Sequence, residues 1–291
     1  MILSNTWRDY RLLDCSDGER LESWGGVVLV RPDPQGIWQG RRSHPAWSDP
    51  HARYIRSRTG GGHWENYKPI PELTLRYGAL RFHVRPTNFK HTGLFPEQAA
   101  NWDWAASLIR SAGRPVRVLN LFAYTGAATL ACAAAGASVC HVDAEKGMVQ
   151  WAKENAAASG LAGAPIRYIV DDCAKFVQRE IRRGSRYDAV ILDPPSYGRG
   201  PGGEVWKLEE QLDGLVRLTL GVLTDTPLFY LLNSYTTGFS AGVVGYLCRR
   251  LLLPKFGGAL EADELGLPVE ASGAPLPCGA SARWEAAGAG R

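Results

Sequence analysis

The chain has 291 residues, is 45% hydrophobic and 21% charged, and carries a formal net charge of +4, which gives room for one large α/β domain plus a smaller appendage and weakly favours an anionic partner such as nucleic acid. No run approaches the roughly 20 apolar residues of a membrane span, and Met1–Tyr10 lacks the apolar core of a secretory signal. Its six cysteines (Cys15, Cys132, Cys140, Cys173, Cys248 and Cys278) are scattered, with no Cys-x-x-Cys pair, so no metal site is expected and a reduced, cytoplasmic setting fits best.

Residues 1–88 are rich in Trp, Arg, Gly and Pro and read as a small β-rich N-terminal domain. Strand-like runs fall at Tyr10–Leu13, Gly26–Val30, Leu73–Tyr77 and Leu80–Val84, the last two joined by a hairpin turn at Arg76–Ala79. The stretch Gln39–His63 reads as a loop. It holds Arg41, Arg42, Arg53, Arg56 and Arg58 against one acid, Asp49, with Trp47, Tyr54 and Trp64 interleaved or close by. Such a loop would suit phosphates and unpaired bases; the plainer reading is a solvated basic loop.

From 89 to 291 helix and strand alternate, which predicts the second domain. Pro96 suits the first turn of a helix running through Leu108. Strand–helix pairs follow: Val116–Leu121 with Gly126–Ala135, Ser138–Val142 with Glu145–Ser159, and Ile166–Val170 with Cys173–Arg183. Next come Tyr187–Leu192 with a helix near Val205–Leu220, and Leu228–Leu232 with Ala241–Leu252. Continuous apolar strands are buried on both faces, so a mostly parallel sheet covered by helices is predicted. The tail, Ala259–Val269 and Pro275–Trp284, reads as a β-hairpin.

In an open α/β sheet, ligands bind outside the carboxyl ends of the strands, at the point where strand order reverses. The first strand runs out through Asn120-Leu121-Phe122-Ala123-Tyr124-Thr125-Gly126, the second ends at Asp143, the third at Asp171-Asp172, and the fourth at Asp193-Pro194-Pro195-Ser196. An acid about 20 residues past the first turn is the usual partner of a ribose hydroxyl pair; Asp143 stands 23 beyond Asn120. A carboxylate of Asp171-Asp172, or its neighbouring backbone, would meet an adenine amino group. Each residue alone has a plainer reading: Asp171 or Asp172 as a helix cap, Asp143 as a helix-initiating acid, Gly126 as an ordinary turn glycine, Asp193 with its prolines as a turn. Four consecutive strands ending alike is the argument for a site. A nicotinamide dinucleotide would call for Gly-x-Gly-x-x-Gly to contact a pyrophosphate. With one glycine here, a cofactor without a pyrophosphate, S-adenosylmethionine, fits better.

The segment Val118–Gly126, the Val142-Asp143 strand end, Asp171-Asp172 and Asp193-Pro194-Pro195-Ser196-Tyr197 resemble the motifs of class I methyltransferases related to the bacterial large-subunit ribosomal RNA cytosine-C5 methyltransferases. His91-Thr92-Gly93-Leu94-Phe95-Pro96-Glu97-Gln98 is similar to that family's Thr-Gly-aromatic-aromatic-Leu-Asp-Gln element, with Pro96-Glu97 replacing Leu-Asp. The resemblance implies a Rossmann-like class I methyltransferase fold with S-adenosylmethionine as cofactor. It places Thr92, Gln98, Asn120, Phe122, Ala123, Tyr124, Gly126, Asp143, Asp172 and Asp193 against that cofactor, and implies RNA, ribosomal RNA first, as acceptor. Cytosine-C5 members attack the base with a cysteine after the fifth strand. This chain reads Asn233-Ser234-Tyr235-Thr236 there, and Cys173 reads as a core residue. A direct transfer to a nucleobase, at a ring nitrogen or an exocyclic amine, is therefore expected. Asp193 and the Pro194 carbonyl would orient an amino group, Tyr197 or Tyr124 would stack on the base, and Asn233 would face the same region. Two other readings stay open: a protein or small-molecule acceptor, and a relative that binds cofactor or RNA without transferring methyl.

Overall fold

A computed structural model describes residues 1–40, 42–57, 61–199 and 205–288. They form two compact units: Met1–Ala100 with Leu265–Cys278, and Asn101–Glu264 with Gly279–Arg291.

The first unit contains β1 (Ile2–Leu3), β2 (Tyr10–Ser16), β3 (Glu19–Trp24), β4 (Val27–Pro32), β5 (Ala52–Arg56), β6 (Gly62–Asn66), β7 (Leu73–Tyr77) and β8 (Leu80–Val84). The expectation of a β-rich N-terminal region holds. Strands β2 to β6 form one sheet in sequence order, antiparallel except for the β4–β5 pair, and β7 and β8 form a separate hairpin.

Two sequence readings are corrected here. Gln39–His63 is not a continuous loop: it holds a short 3-10 turn at Pro45–Ser48, all of β5 and the start of β6. Strand β3 was not expected either, because Glu19-Arg20-Leu21-Glu22 lacks apolar alternation. Its inward charges are compensated by ion pairs. Glu22 is fully buried and takes two hydrogen bonds from Arg31, Nε at 2.5 Å and Nη2 at 2.7 Å, and a third from the Tyr10 hydroxyl at 2.8 Å. Arg20 lies 3.3 Å from Asp33.

The second unit is built from α1 (Ala99–Ser111), β9 (Arg117–Leu121), α2 (Ala127–Ala134), β10 (Ser138–Asp143), α3 (Lys146–Ala158), β11 (Ile166–Val170), α4 (Cys173–Arg182) and β12 (Ala189–Leu192). It continues with β13 (Tyr197–Arg199), β14 (Val205–Lys207), α5 (Leu208–Leu220), β15 (Phe229–Ser234), α6 (Ala241–Phe256), β16 (Ala259–Pro268) and β17 (Pro275–Glu285). The last two strands also contribute Leu265–Cys278 to the first unit, where β1 pairs in parallel with Leu265–Gly266. The central sheet runs β17-β15-β12-β9-β10-β11, with β15 to β11 parallel and β17 antiparallel.

Alternate residues of the parallel strands feed two cores. Leu119, Leu121, Val190, Leu192, Tyr230 and Leu232 meet α4, α5 and α6, while Val118, Val139, Ala189, Ile191, Phe229 and Leu231 meet α1 and α2. Burying each such side chain contributes about 1.5–3 kcal/mol, so double-sided burial fixes register as well as stability. One boundary differs from expectation: Val205–Lys207 pairs with Tyr197–Arg199 as a hairpin, and the helix begins only at Leu208.

Removing one partner of a buried ion pair strands the other. Glu22→Ala is expected to lower the stability of the first unit by about 3–5 kcal/mol in urea unfolding. Burial raises the Glu22 carboxyl, but Arg31 and Arg20 outweigh it and hold the group below its ordinary value. The folded value being depressed, this stabilisation is full at neutral pH and is lost as acid carries the pH below the usual carboxylate range. Glu22→Ala should flatten that acid limb; an unchanged acid limb contradicts the assignment.

Candidate functional site

The strand order β15-β12-β9-β10-β11 reverses between β9 and β12, so the loops leaving those two strands diverge and open a crevice at their carboxyl ends. The loop after β9 is Phe122–Gly126. Phe122 and Tyr124 are left-handed at φ +55° and +50°, and Gly126 at +86°. For a non-glycine residue that conformation costs about 1–2 kcal/mol, so the surroundings must hold it. The Phe122 N–H points to Cys173 Sγ at 3.3 Å, Ala123 N–H donates to the Val142 carbonyl at 3.1 Å, and Tyr124 N–H donates to Asp143 Oδ2 at 2.8 Å. At Gly126 an added Cβ would stand 2.8 Å from the Cβ of Ala152 on α3. Glycine is needed there for φ and for the close approach of α3.

Asp143 ends β10, half-buried. Its second oxygen, Oδ1, accepts from Glu145 N–H at 2.9 Å. Burial raises its carboxyl, and the two N–H donors oppose that rise. Each oxygen has taken one backbone donor and retains a second lone pair, the capacity a ribose diol needs.

The row of strand-end polar residues is less uniform than the sequence implies. Asn120 lies inside β9, buried, and its Nδ2 donates to Thr129 Oγ1 on α2 at 2.9 Å, with His141 Nδ1 of β10 2.9 Å beyond. Burial pushes the His141 imidazole down to about 3, so this chain of three is neutral. Its side chains pin α2 to the sheet directly behind the loop. Asp172 caps α4, its Oδ1 accepting from Lys175 N–H at 2.8 Å, and Asp171 pairs with Arg179. The plainer reading of this doublet is thus realised in the geometry.

On the other side of the crevice, Asp193 is half-buried, Pro194 is buried, and Pro195, Ser196 and Tyr197 are exposed. The β12–β15 register ends at Leu192↔Leu232, which sets Asp193 level with Asn233. Asn233 is itself engaged: its Oδ1 accepts from Asn101 Nδ2 at 3.1 Å and Ser281 Oγ at 3.0 Å, and Arg283 Nε donates to Asn101 at 2.7 Å. Any acceptor reaching Asn233 competes with these bonds. Cys173 is buried, and burial raises its thiol far above the ordinary range. Its packing matches the expectation of a core residue.

Three contributors escaped the sequence reading: Thr129 and His141 behind the loop, and Trp206 on β14. His141 carried a usable signal, a lone polar residue in the apolar run Val139–Val142. Thr92 and Gln98 belong to the first unit, both buried, with the Thr92 carbonyl accepting from Arg85 N–H at 3.1 Å. In the same unit two arginines of the basic stretch, Arg42 and Arg53, have an acidic partner. Arg42 reaches Glu19 at 2.6 Å and stacks on Trp47, Arg53 lies 3.6 Å from Glu19, and the Trp47 indole donates to Asp14 at 2.9 Å. The acids, Glu19 at the start of β3 and Asp14 on β2, lie outside the local sequence window. Arg41 and Arg58 lie outside the described residues. Among those residues no group of His, Cys, Asp and Glu could hold a metal ion, and no helix is long and apolar enough to cross a membrane.

A mostly parallel sheet whose order reverses at this crevice, with an acid ending β10 and a one-glycine loop after β9, defines a Rossmann-like fold. A family model described as S-adenosylmethionine-dependent methyltransferase matches residues 40–220. The ribosomal RNA large subunit methyltransferase K/L of Shewanella frigidimarina is 32% identical over 203 residues, 66% of this chain and 26% of its own. This chain thus spans about a quarter of that relative's length. A SAM-dependent methyltransferase structure from Agrobacterium tumefaciens is 37% identical at a TM-score of 0.91, covering 98% of this chain and 92% of that one. The fold also matches SMU.776 complexed with SAH at a TM-score of 0.70 and 20% identity, over 96% of this chain and 76% of that one. The chain belongs to the S-adenosylmethionine-dependent methyltransferase family. Its fold is the Rossmann-like methyltransferase fold, and S-adenosylmethionine is the methyl donor named for that family.

Gly126→Ala is expected to cost about 1–3 kcal/mol of stability and to weaken S-adenosylhomocysteine binding in calorimetry. The double variant Gly126→Ala/Ala152→Gly removes the Cβ collision but not the backbone strain, so it should recover part of the stability. Wild-type stability in the single variant would contradict the geometry described for this turn.

Proposed function

We propose that the protein methylates a nucleobase nitrogen of RNA, with ribosomal RNA the favoured source, without a covalent enzyme–base intermediate. The observation that carries this is the acceptor side of the crevice: Asp193-Pro194-Pro195-Ser196 follows β12, and Asn233-Ser234-Tyr235-Thr236 follows β15, with no cysteine in either segment. The name of the Shewanella relative supports RNA as acceptor.

Asn120, Phe122, Ala123, Tyr124, Gly126, Asp143 and Asp172 form the cofactor side. The Asp143 carboxylate would take the ribose hydroxyls while its backbone bonds keep the loop in shape. The backbone around Asp172 would meet the adenine, since the side chain is committed to its cap. Bound S-adenosylmethionine supplies a methyl group already activated by positive sulfur. The remaining task is alignment, holding the acceptor atom about 3–3.5 Å from that carbon. Asp193 and the Pro194 carbonyl accept hydrogen bonds from the base amine, which aims its lone pair. Tyr197, 53% exposed, offers a stacking face for an extruded base. Asp193 can also hold the proton released from the amine as the new bond forms. In the first unit, Arg56 is exposed and would add a phosphate contact.

The test is transfer of label from S-adenosylmethionine to RNA isolated from cells lacking the gene. Label in RNA supports the proposal; label only in protein or small-molecule extracts overturns it, and cofactor binding with no label anywhere identifies an idle relative. Asp193→Ala should lower kcat by about a hundredfold or more, the usual scale for loss of a positioned proton acceptor. S-adenosylhomocysteine affinity should change far less. Unchanged turnover removes Asp193 from the mechanism.

A further inference from the structure

We propose that Trp206 is a positioning residue that ties the acceptor-side loop to the cofactor-side loop, so that the two substrates are aligned by one side chain. The inference rests on the proposed function for what each loop holds. Trp206 lies on β14, paired with Gly198 of β13. Its indole Nε1–H donates to the Pro195 carbonyl at 2.6 Å. Its ring, half-buried, sits 5.7 Å from the ring of Phe122 with the planes at 46°. One side chain therefore touches the Asp-Pro-Pro-Ser segment through a polar edge and the strained loop after β9 through an apolar face.

Two further bonds show that the acceptor loop is held on this side. The Ser196 carbonyl accepts from Leu208 N–H at 3.1 Å, and Thr236 Oγ1 donates to Ser196 Oγ at 2.6 Å. The acceptor loop is thereby fixed to α5, to the segment after β15 and, through Trp206, to Phe122. The indole also removes the Pro195 carbonyl from the acceptors that a base amine could choose, leaving the Pro194 carbonyl and Asp193. With both loops tied to one ring, their separation is set by the width of an indole, and a misplacement of about 1 Å costs roughly a hundredfold in rate.

The two edges of the ring make separable predictions. Trp206→Phe keeps an aromatic face for Phe122 and deletes the N–H; Trp206→Ala deletes both. Three measurements are made on the full chain: S-adenosylhomocysteine affinity and stoichiometry by calorimetry, kcat and KM for S-adenosylmethionine with RNA from cells lacking the gene, and amide exchange over 120–126 and 196–199. Trp206→Phe should bind S-adenosylhomocysteine within about twofold of wild type and at full stoichiometry. Its kcat should fall about tenfold at unchanged KM for the cofactor, on the scale of one lost hydrogen bond, with faster exchange confined to 196–199. Trp206→Ala should in addition weaken the cofactor about tenfold and speed exchange over 120–126. Wild-type kcat in Trp206→Phe overturns the proposal, and so does a cofactor loss in Trp206→Phe equal to that in Trp206→Ala. If wild-type protein transfers no methyl to RNA, the RNA reading fails by itself. The tie is then judged on affinity and exchange, where equal behaviour of the two variants overturns it.

Discussion

The turn between β9 and α2 is the constraint on which the site depends. Two non-glycine residues there hold left-handed backbone, at Phe122 and Tyr124, and a third left-handed position, Gly126, lets α3 approach through Ala152. Such a turn survives only where its surroundings over-determine it. Asp143, the Val142 carbonyl and Cys173 grip its backbone from neighbouring elements, and the Asn120–Thr129–His141 chain fixes the helix that leaves it. Asp143 thus has two tasks. It supports the turn with one lone pair of each oxygen and leaves the other, so the proposed ribose contact would couple cofactor binding to loop geometry through one carboxylate.

Several polar groups are held on the same logic. Glu22 is committed to Arg31 and Tyr10, Asn233 to Asn101 and Ser281, and the half-buried Trp206 to Pro195, each on a different element. Such pairs contribute little net stability when compared with apolar replacements, but breaking one is costly. They act as register marks. The Asn233 cluster ties α1, β15 and β17 together at the carboxyl edge of the sheet, beside the position of Asp193, and so holds the β12–β15 side of the crevice in place.

Much of the parallel core was legible in the sequence because its strands are uninterrupted apolar runs and its helices begin where those runs stop. The motif residues were legible for the same reason, since chemistry is placed where strands end. What escaped has a common physical cause. Strand β3 hides behind charges whose main partners, Arg31 for Glu22 and Asp33 for Arg20, are nine and thirteen residues away in sequence. Arg42 and Arg53 looked unpaired because Glu19 and Asp17 lay outside the window. Val205–Lys207 read as helix because a three-residue strand paired with Tyr197–Arg199 leaves no periodicity. Asn120 illustrates the limit most clearly: its position in the motif was recognised, but whether its amide turns to the ligand or to α2 is decided by Thr129 and His141, which no local pattern announces.

The account predicts a direct transfer to nitrogen, and the position of the methyl group reports on that directly. Nucleoside mass spectrometry of ribosomal RNA from cells with and without the gene should show one N-methylated nucleoside present only when the gene is present. A C5-methylated pyrimidine in its place would contradict the account, because carbon methylation requires a nucleophile that the segment after β15 does not contain.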